Sequence, residues 1–155
     1  ILVREDCETM KAFVGSDHAG IDGRKTVAEV FRNRGWEVTE VGPSTTEEKA
    51  DYPDIAHEVS VGVTTGLAEV GVLVCGTGQG MAMTANRYQG ARAAVITDSF
   101  TAEMSRGHNN ANIACFGERV IGTEKIKDLI AVFIDTPFEG GRHGTRVDKI
   151  DKIPS

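Results

Sequence analysis

A chain of 155 residues, 40% of them hydrophobic, can bury one core and is too short for two ordinary domains. Its formal charge of −6 excludes a broad cationic surface for nucleic acid or acidic lipid, although a local group of arginines can still hold a small anion. No apolar run approaches the roughly 20 residues of a membrane span, and the first residues lack the long apolar stretch of a secretory signal.

The three cysteines, Cys7, Cys75 and Cys115, show neither CxxC nor Cys/His ligand spacing, so neither a disulfide framework nor a zinc site is indicated. A reducing cytoplasm is the expected location, with no metal and no cofactor. Residues 1–9 are expected to be an N-terminal extension outside the fold, and residues 10–155 a single domain.

In chain order, Lys11 to Gly15 reads as a strand, Ser16 to Gly20 as a Gly-containing turn, and the stretch to about Arg34 as a helix stopped by Gly35. Trp36 to Val41 alternates as a half-exposed strand should, and Pro43 to Ala50 is a polar loop. Asp51-Tyr52-Pro53-Asp54 opens a helix whose apolar residues Ile55, Val59 and Val63 recur every four positions. Val70 to Cys75, Ala91 to Ile96 and Asn112 to Phe116 are nearly continuous apolar runs, as strands covered on both faces of a parallel sheet must be. Helices are expected around 80–88, 100–107 and 123–134.

Five strands alternating with helices predict a doubly wound α/β sheet, in which ligands bind outside the carboxyl ends of the strands. Ser16-Asp17-His18, the run from Cys75 to Gly80, Thr97-Asp98 and Gly117-Glu118-Arg119 all fall on that edge.

Cys75 ends a buried strand just before glycines that lead into a helix, where backbone N–H groups favour a thiolate and make it a candidate general base. The competing reading is a small buried hydrophobe, and that reading is adopted for Cys115. Gly76-Thr77-Gly78-Gln79-Gly80 offers unobstructed N–H groups for an oxyanion or phosphate, or is simply a tight turn. Dinucleotide binding is a rival, because Asp98 follows Gly76 by 22 residues, but the spacing is GxGxG and the turn follows the third strand.

Asp17 can move protons between oxygens and His18 can hold a phosphate. His108 follows a helix and is either a dipole-favoured terminal residue or a functional one, whereas His57 is read as a surface residue. Arg142 and Arg146 stand four apart and form either a solvated basic face or a phosphate clamp.

Taken together, Gly15-Ser16-Asp17-His18-Ala19-Gly20, Asp51-Tyr52-Pro53, the run from Cys75 to Gly80, the run from Ser105 to Asn112 and Glu139-Gly140-Gly141-Arg142-His143 resemble the ribose-5-phosphate isomerase B and galactose-6-phosphate isomerase family, from about residue 11 to 150. The resemblance implies a Rossmann-like three-layer α/β/α sandwich with a mainly parallel five-stranded sheet, and a C-terminal helix reaching a partner subunit in a homodimer or a tetramer. It implies interconversion of ribose 5-phosphate and ribulose 5-phosphate through an enediolate.

By matching position, Cys75 would be the base and Gly76, Thr77, Gly78, Gln79 and Gly80 the stabiliser of the enediolate, with Thr77 supporting Cys75. Asp17 would move protons between the sugar oxygens, His108 would open the furanose ring and Asn109 would contact the sugar. His18, Arg119, Arg142 and Arg146 would hold the phosphate and Tyr52 would line the pocket. Asn110 stands where members often carry Asp, and Gln79 where an aliphatic residue is common. Some members use Glu as the base, which places this chain in the cysteine-bearing branch. Two other functions compete: isomerisation of a hexose 6-phosphate such as galactose or allose 6-phosphate, and a non-catalytic module that binds a nucleotide or sugar phosphate.

Overall fold

The computed structural model describes residues 8–154, so most of the expected N-terminal extension, Cys7 included, lies outside the described residues. The elements are β1 (Lys11–Ser16), α1 (Ile21–Asn33), β2 (Glu37–Val41), α2 (Tyr52–Thr64), β3 (Val70–Cys75), α3 (Gln79–Ala85), β4 (Ala93–Val95), α4 (Ser99–Gly107), β5 (Ile113–Gly117), α5 (Glu118–Asp135) and α6 (Arg142–Asp151). The strands form one five-stranded, wholly parallel sheet in the order β2-β1-β3-β5-β4. Among the described residues, no helix is long and apolar enough to cross a membrane.

The strand period of two divides the core. Val72, Val74, Ala114 and Phe116 face α1, α4 and α5, where Val27, Phe31, Ala102, Ile126, Ile130 and Phe133 complete one cluster. Leu73, Cys75, Ile113 and Cys115 face the other way, onto Ile55, Val59, Val63, Met81 and Ala85 of α2 and α3. Every residue of β3 and β5 is buried, which is why those strands read as unbroken apolar runs, whereas the edge strand β2 is largely exposed.

Three elements differ from the expected ones by more than a residue at an end. β4 is only three residues long and α3 stops at Ala85. One residue causes both: the Asn86 side chain donates to the Ala93 carbonyl at 2.9 Å and accepts from the Ala93 N–H at 2.8 Å, ending the helix and occupying the start of an edge strand. The third difference is in α5, which begins at Glu118 and is broken at Gly122 by a left-handed φ of 78°, so only its second part matches the helix expected over 123–134.

Arg24 ties the carboxyl ends of β1 and β2. Its guanidinium is buried and donates to Ser16 Oγ at 3.1 Å, Val41 O at 3.4 Å, Pro43 O at 2.8 Å and Glu40 Oε1 at 3.3 Å. Arg32 reaches the same Glu40 from a half-exposed position. Arg24→Met strands two carbonyls and a carboxylate and is expected to cost about 3 kcal/mol, against less than about 1 kcal/mol for Arg32→Ala. Urea unfolding of both variants checks this, and equal losses would contradict it.

Candidate functional site

The sheet order reverses between β1 and β3, because the chain leaves β1 toward β2 on one side and then returns to lay β3 on the other. The crevice at that reversal is the expected ligand position in an open α/β sheet. Ser16 pairs with Val74 in the ladder, so Asp17 and Cys75 emerge from neighbouring strand ends.

Cys75 is 5% exposed, and its sulfur accepts the Gly78 N–H at 3.1 Å. The turn reaches that position because Gly78 holds φ at 82°. Thr77 Oγ1 accepts from the Gln79 N–H at 3.3 Å, so Gly78 rather than Thr77 supplies the hydrogen bond to Cys75. Tyr52, at the start of α2, packs against the turn: a Cβ on Gly80 would sit 2.4 Å from its ring. Arg119 follows β5 and runs past Gly76, with Cδ 3.5 Å and Nη1 3.6 Å from where a Cβ would be.

Asp17 is buried, with Oδ1 accepting the Ala19 N–H at 2.9 Å. His18 is half-buried, and its Nδ1 is enclosed without a hydrogen-bond partner among the described residues. Burial pushes the Glu118 carboxyl above its ordinary range. The Gly23 N–H opposes that, the charges of Asp22 and Asp17 reinforce it, and Arg119 opposes it. Asp17, His18, Tyr52, Cys75 to Gly80 and Arg119 thus share the carboxyl edge.

The remaining expected residues lie on the opposite edge. α4 starts beside the carboxyl end of β4 and returns to the amino end of β5, which carries His108 and Asn109 to the amino edge. Four strand rises, roughly 13 Å, separate Ile113 from Gly117. His108 Nε2 is 3.3 Å from Glu139 Oε2, and its ring stacks on His143 with centroids 4.0 Å apart at 11°. His143 Nε2 is 3.9 Å from Glu139 Oε1. Arg142 and Arg146 project from exposed positions on α6. The His143 imidazole is held below its usual range by burial, then by His108 and Arg142, against Glu139, with Arg146 adding to the depression. Asn109 is exposed and borders a cavity of about 400 Å³ together with Arg92, Ile150 and Asp151.

Glu139 and His143 received no role from the sequence beyond belonging to a motif. Their spacing of four, across a pair of left-handed glycines at 140 and 141, was the available signal. His108, Glu139 and His143 form the one compact group of metal-type side chains among the described residues, with ligand atoms within 4.8 Å of one another. The stacked rings argue against a shared cation as they stand. Imidazole lone pairs lie in the ring plane, and one ion cannot lie in two parallel planes.

Other residues take structural places. Asp98 caps α4, accepting the Thr101 N–H at 2.7 Å in a capping box, and that N–H followed by the Thr101 hydroxyl lowers its pKa. It sits beyond the outermost strand rather than at the crevice, which removes the acid that dinucleotide binding required. Burial drives the Cys115 thiol well above its ordinary range, as an inert core residue requires. His57 is exposed, with Nδ1 2.6 Å from the Tyr88 hydroxyl. Asn110 accepts from the buried Arg106 at 2.9 Å, a bond that an Asp in its place could make as well.

Comparison with known proteins gives a consistent answer. The family model described as Ribose/Galactose Isomerase matches residues 12–150. Ribose-5-phosphate isomerase B of Escherichia coli is 37% identical over 143 residues, spanning 92% of this chain and 95% of that protein. D-erythrulose-4-phosphate isomerase of Pectobacterium atrosepticum is 38% identical over 137 residues, spanning 88% and 90%. Among solved structures, Clostridium thermocellum ribose-5-phosphate isomerase B superposes with a TM-score of 0.88 at 43% identity, covering 92% of this chain and 96% of its own. The matched span runs from the second residue of β1 to the next-to-last residue of α6, and the chain belongs to the ribose/galactose isomerase family.

Proposed function

We propose that the protein interconverts ribose 5-phosphate and ribulose 5-phosphate by proton transfer through an enediolate, at a site assembled from two copies of the chain. The observation that carries the proton-transfer step is Cys75, a nearly buried thiol at the sheet's switch point with a backbone N–H directed at its sulfur. In this reading its thiolate takes the proton from C2 of the open-chain aldose and returns it to C1. The turn from Gly76 to Gly80 meets the negative charge that develops on the sugar oxygen, and Asp17 carries a proton between O1 and O2.

The separation of the two half-sites supports the shared assembly. His108, Asn109, Arg142 and Arg146 are on the amino edge of their own sheet, a strand's length from Cys75, so in this reading a second chain presents them. There His108 opens the furanose ring, Asn109 contacts the sugar, and Arg142 and Arg146 join His18 and Arg119 on the phosphate, with Tyr52 along the wall. A homodimer is the smallest assembly that completes two such sites, and a pair of dimers is a tetramer.

A second reading has specific support, because the relative named for D-erythrulose 4-phosphate is as similar to this chain as the one named for ribose 5-phosphate. A coupled assay of ribose 5-phosphate, erythrulose 4-phosphate, galactose 6-phosphate and allose 6-phosphate separates these substrates. Activity highest on ribose 5-phosphate is expected. No turnover of any of them would return the chain to a binding role.

Three outcomes follow from the proposal. Cys75→Ala should keep the fold and substrate binding while losing about 10²-fold to 10⁴-fold in turnover, as for any missing general base, and retention of more than about a tenth would assign the base elsewhere. Because the chain's own side chains perform each proton transfer, EDTA and dialysis should leave turnover unchanged. Loss on chelation with recovery on adding a divalent ion would refute that. Finally, Cys75→Ala protein mixed with an Arg142→Ala, Arg146→Ala double variant under subunit exchange should regain activity toward about a quarter of wild type, since half the dimers are hybrids with one whole site. No recovery despite demonstrated exchange would mean that each chain builds its own site.

A further inference from the structure

The contacts around His108 specify which of its nitrogens is free. Nε2 lies at ion-pair distance from the Glu139 carboxylate, 3.3 Å from Oε2, and no contact of this kind involves Nδ1 among the described residues. Backbone hydrogen bonds fix the chain on both sides of Glu139. The Glu139 N–H donates to Gly107 O at 3.0 Å, immediately before His108, and the His143 N–H donates to Gly140 O at 3.1 Å. Gly107 leaves the room: a Cβ there would lie 2.9 Å from Glu139 Oε2, so any side chain at 107 would push the carboxylate off the imidazole. The His143 ring, itself buried, lies parallel to His108 at 4.0 Å and obstructs rotation of that ring about χ2.

A carboxylate that accepts from one imidazole nitrogen selects the tautomer and leaves the other nitrogen to carry protons. We infer that Glu139, with His143 stacked behind, is a positioning residue that holds His108 with Nε2–H on the carboxylate and Nδ1 toward the substrate. This rests on the proposed reading of His108 as the ring-opening residue. In that step the C1–O4 bond breaks with its electron pair going to O4, and C1=O1 forms as O1 loses its proton. Nδ1 takes the proton from O1 and delivers it to O4, so the imidazole ends in its starting charge state. Glu139 touches no reacting atom.

The experiment separates ring opening from proton abstraction. Ribulose 5-phosphate cannot close a furanose ring, because the hydroxyl it would need is esterified, so exchange of its C1 hydrogen with solvent deuterium requires the base but no ring opening. Glu139→Gln should lower turnover of ribose 5-phosphate by about tenfold or more while leaving deuterium exchange within about twofold of wild type. Glu139→Asp, which keeps the charge one methylene further back, should fall between. A parallel loss of both reactions would make Glu139 structural, and full turnover in Glu139→Gln would make it idle; either overturns the inference. His108→Ala shows where a failure lies. If it splits the two reactions and Glu139→Gln does not, the inference alone falls, whereas no split in His108→Ala removes the ring-opening reading beneath it.

Discussion

In a sheet whose strands all run one way, whatever follows a strand lands on one edge and whatever precedes a strand lands on the other. The crossover helices enforce this, since each must travel back the length of the strand before the chain can enter the next one. Asp17, Cys75 and Arg119 follow β1, β3 and β5, while His108 precedes β5 and α6 packs at the amino edge through the Arg92–Asp151 ion pair. No side-chain rotation closes a gap of strand length. The candidate side chains of this fold therefore divide into two groups on opposite edges of the sheet, and the proposed site draws on both.

The carboxyl-edge group is held by direct contacts between neighbouring elements. Arg24 binds the ends of β1 and β2 together, Glu118 receives the Gly23 N–H at the head of α1, and Tyr52 presses on Gly80. These contacts tie α1 to the ends of β1 and β2 and to α5, and α2 to the turn after β3. Preorganisation of that kind is what electrostatic stabilisation of a developing charge requires, because dipoles already in place need no reorganisation when the charge appears. On the amino edge a carboxylate and two stacked imidazoles stand together, with Gly107 leaving room for the carboxylate.

Much of this was legible in the residues. β3 and β5 announced themselves as apolar runs because both their faces are covered, and Gly35 marked the end of α1 because the backbone there is left-handed. Cys75 stood out because a strand end meeting a glycine turn is recognisable in a single line of sequence. The ends of α3 and β4 were not legible, since they depend on Asn86 substituting for a strand, a tertiary contact with no periodic signature. Asp98 misled for a related reason: an acid after a strand serves equally as a ribose ligand or a helix cap, and only the sheet order and the Thr101 contacts separate the two. The cluster of His108 with Glu139 and His143 joins residues more than thirty apart, beyond any local pattern.

The most direct test of the two-chain site is a crystal structure of the Cys75→Ala protein with ribose 5-phosphate bound. The account predicts a sugar whose C1 and C2 lie beside the substituted position 75 and the glycine turn of one chain, and whose ring oxygen and phosphate meet His108, Arg142 and Arg146 of a twofold-related chain. A sugar phosphate seated wholly within one chain, at either edge, would contradict it.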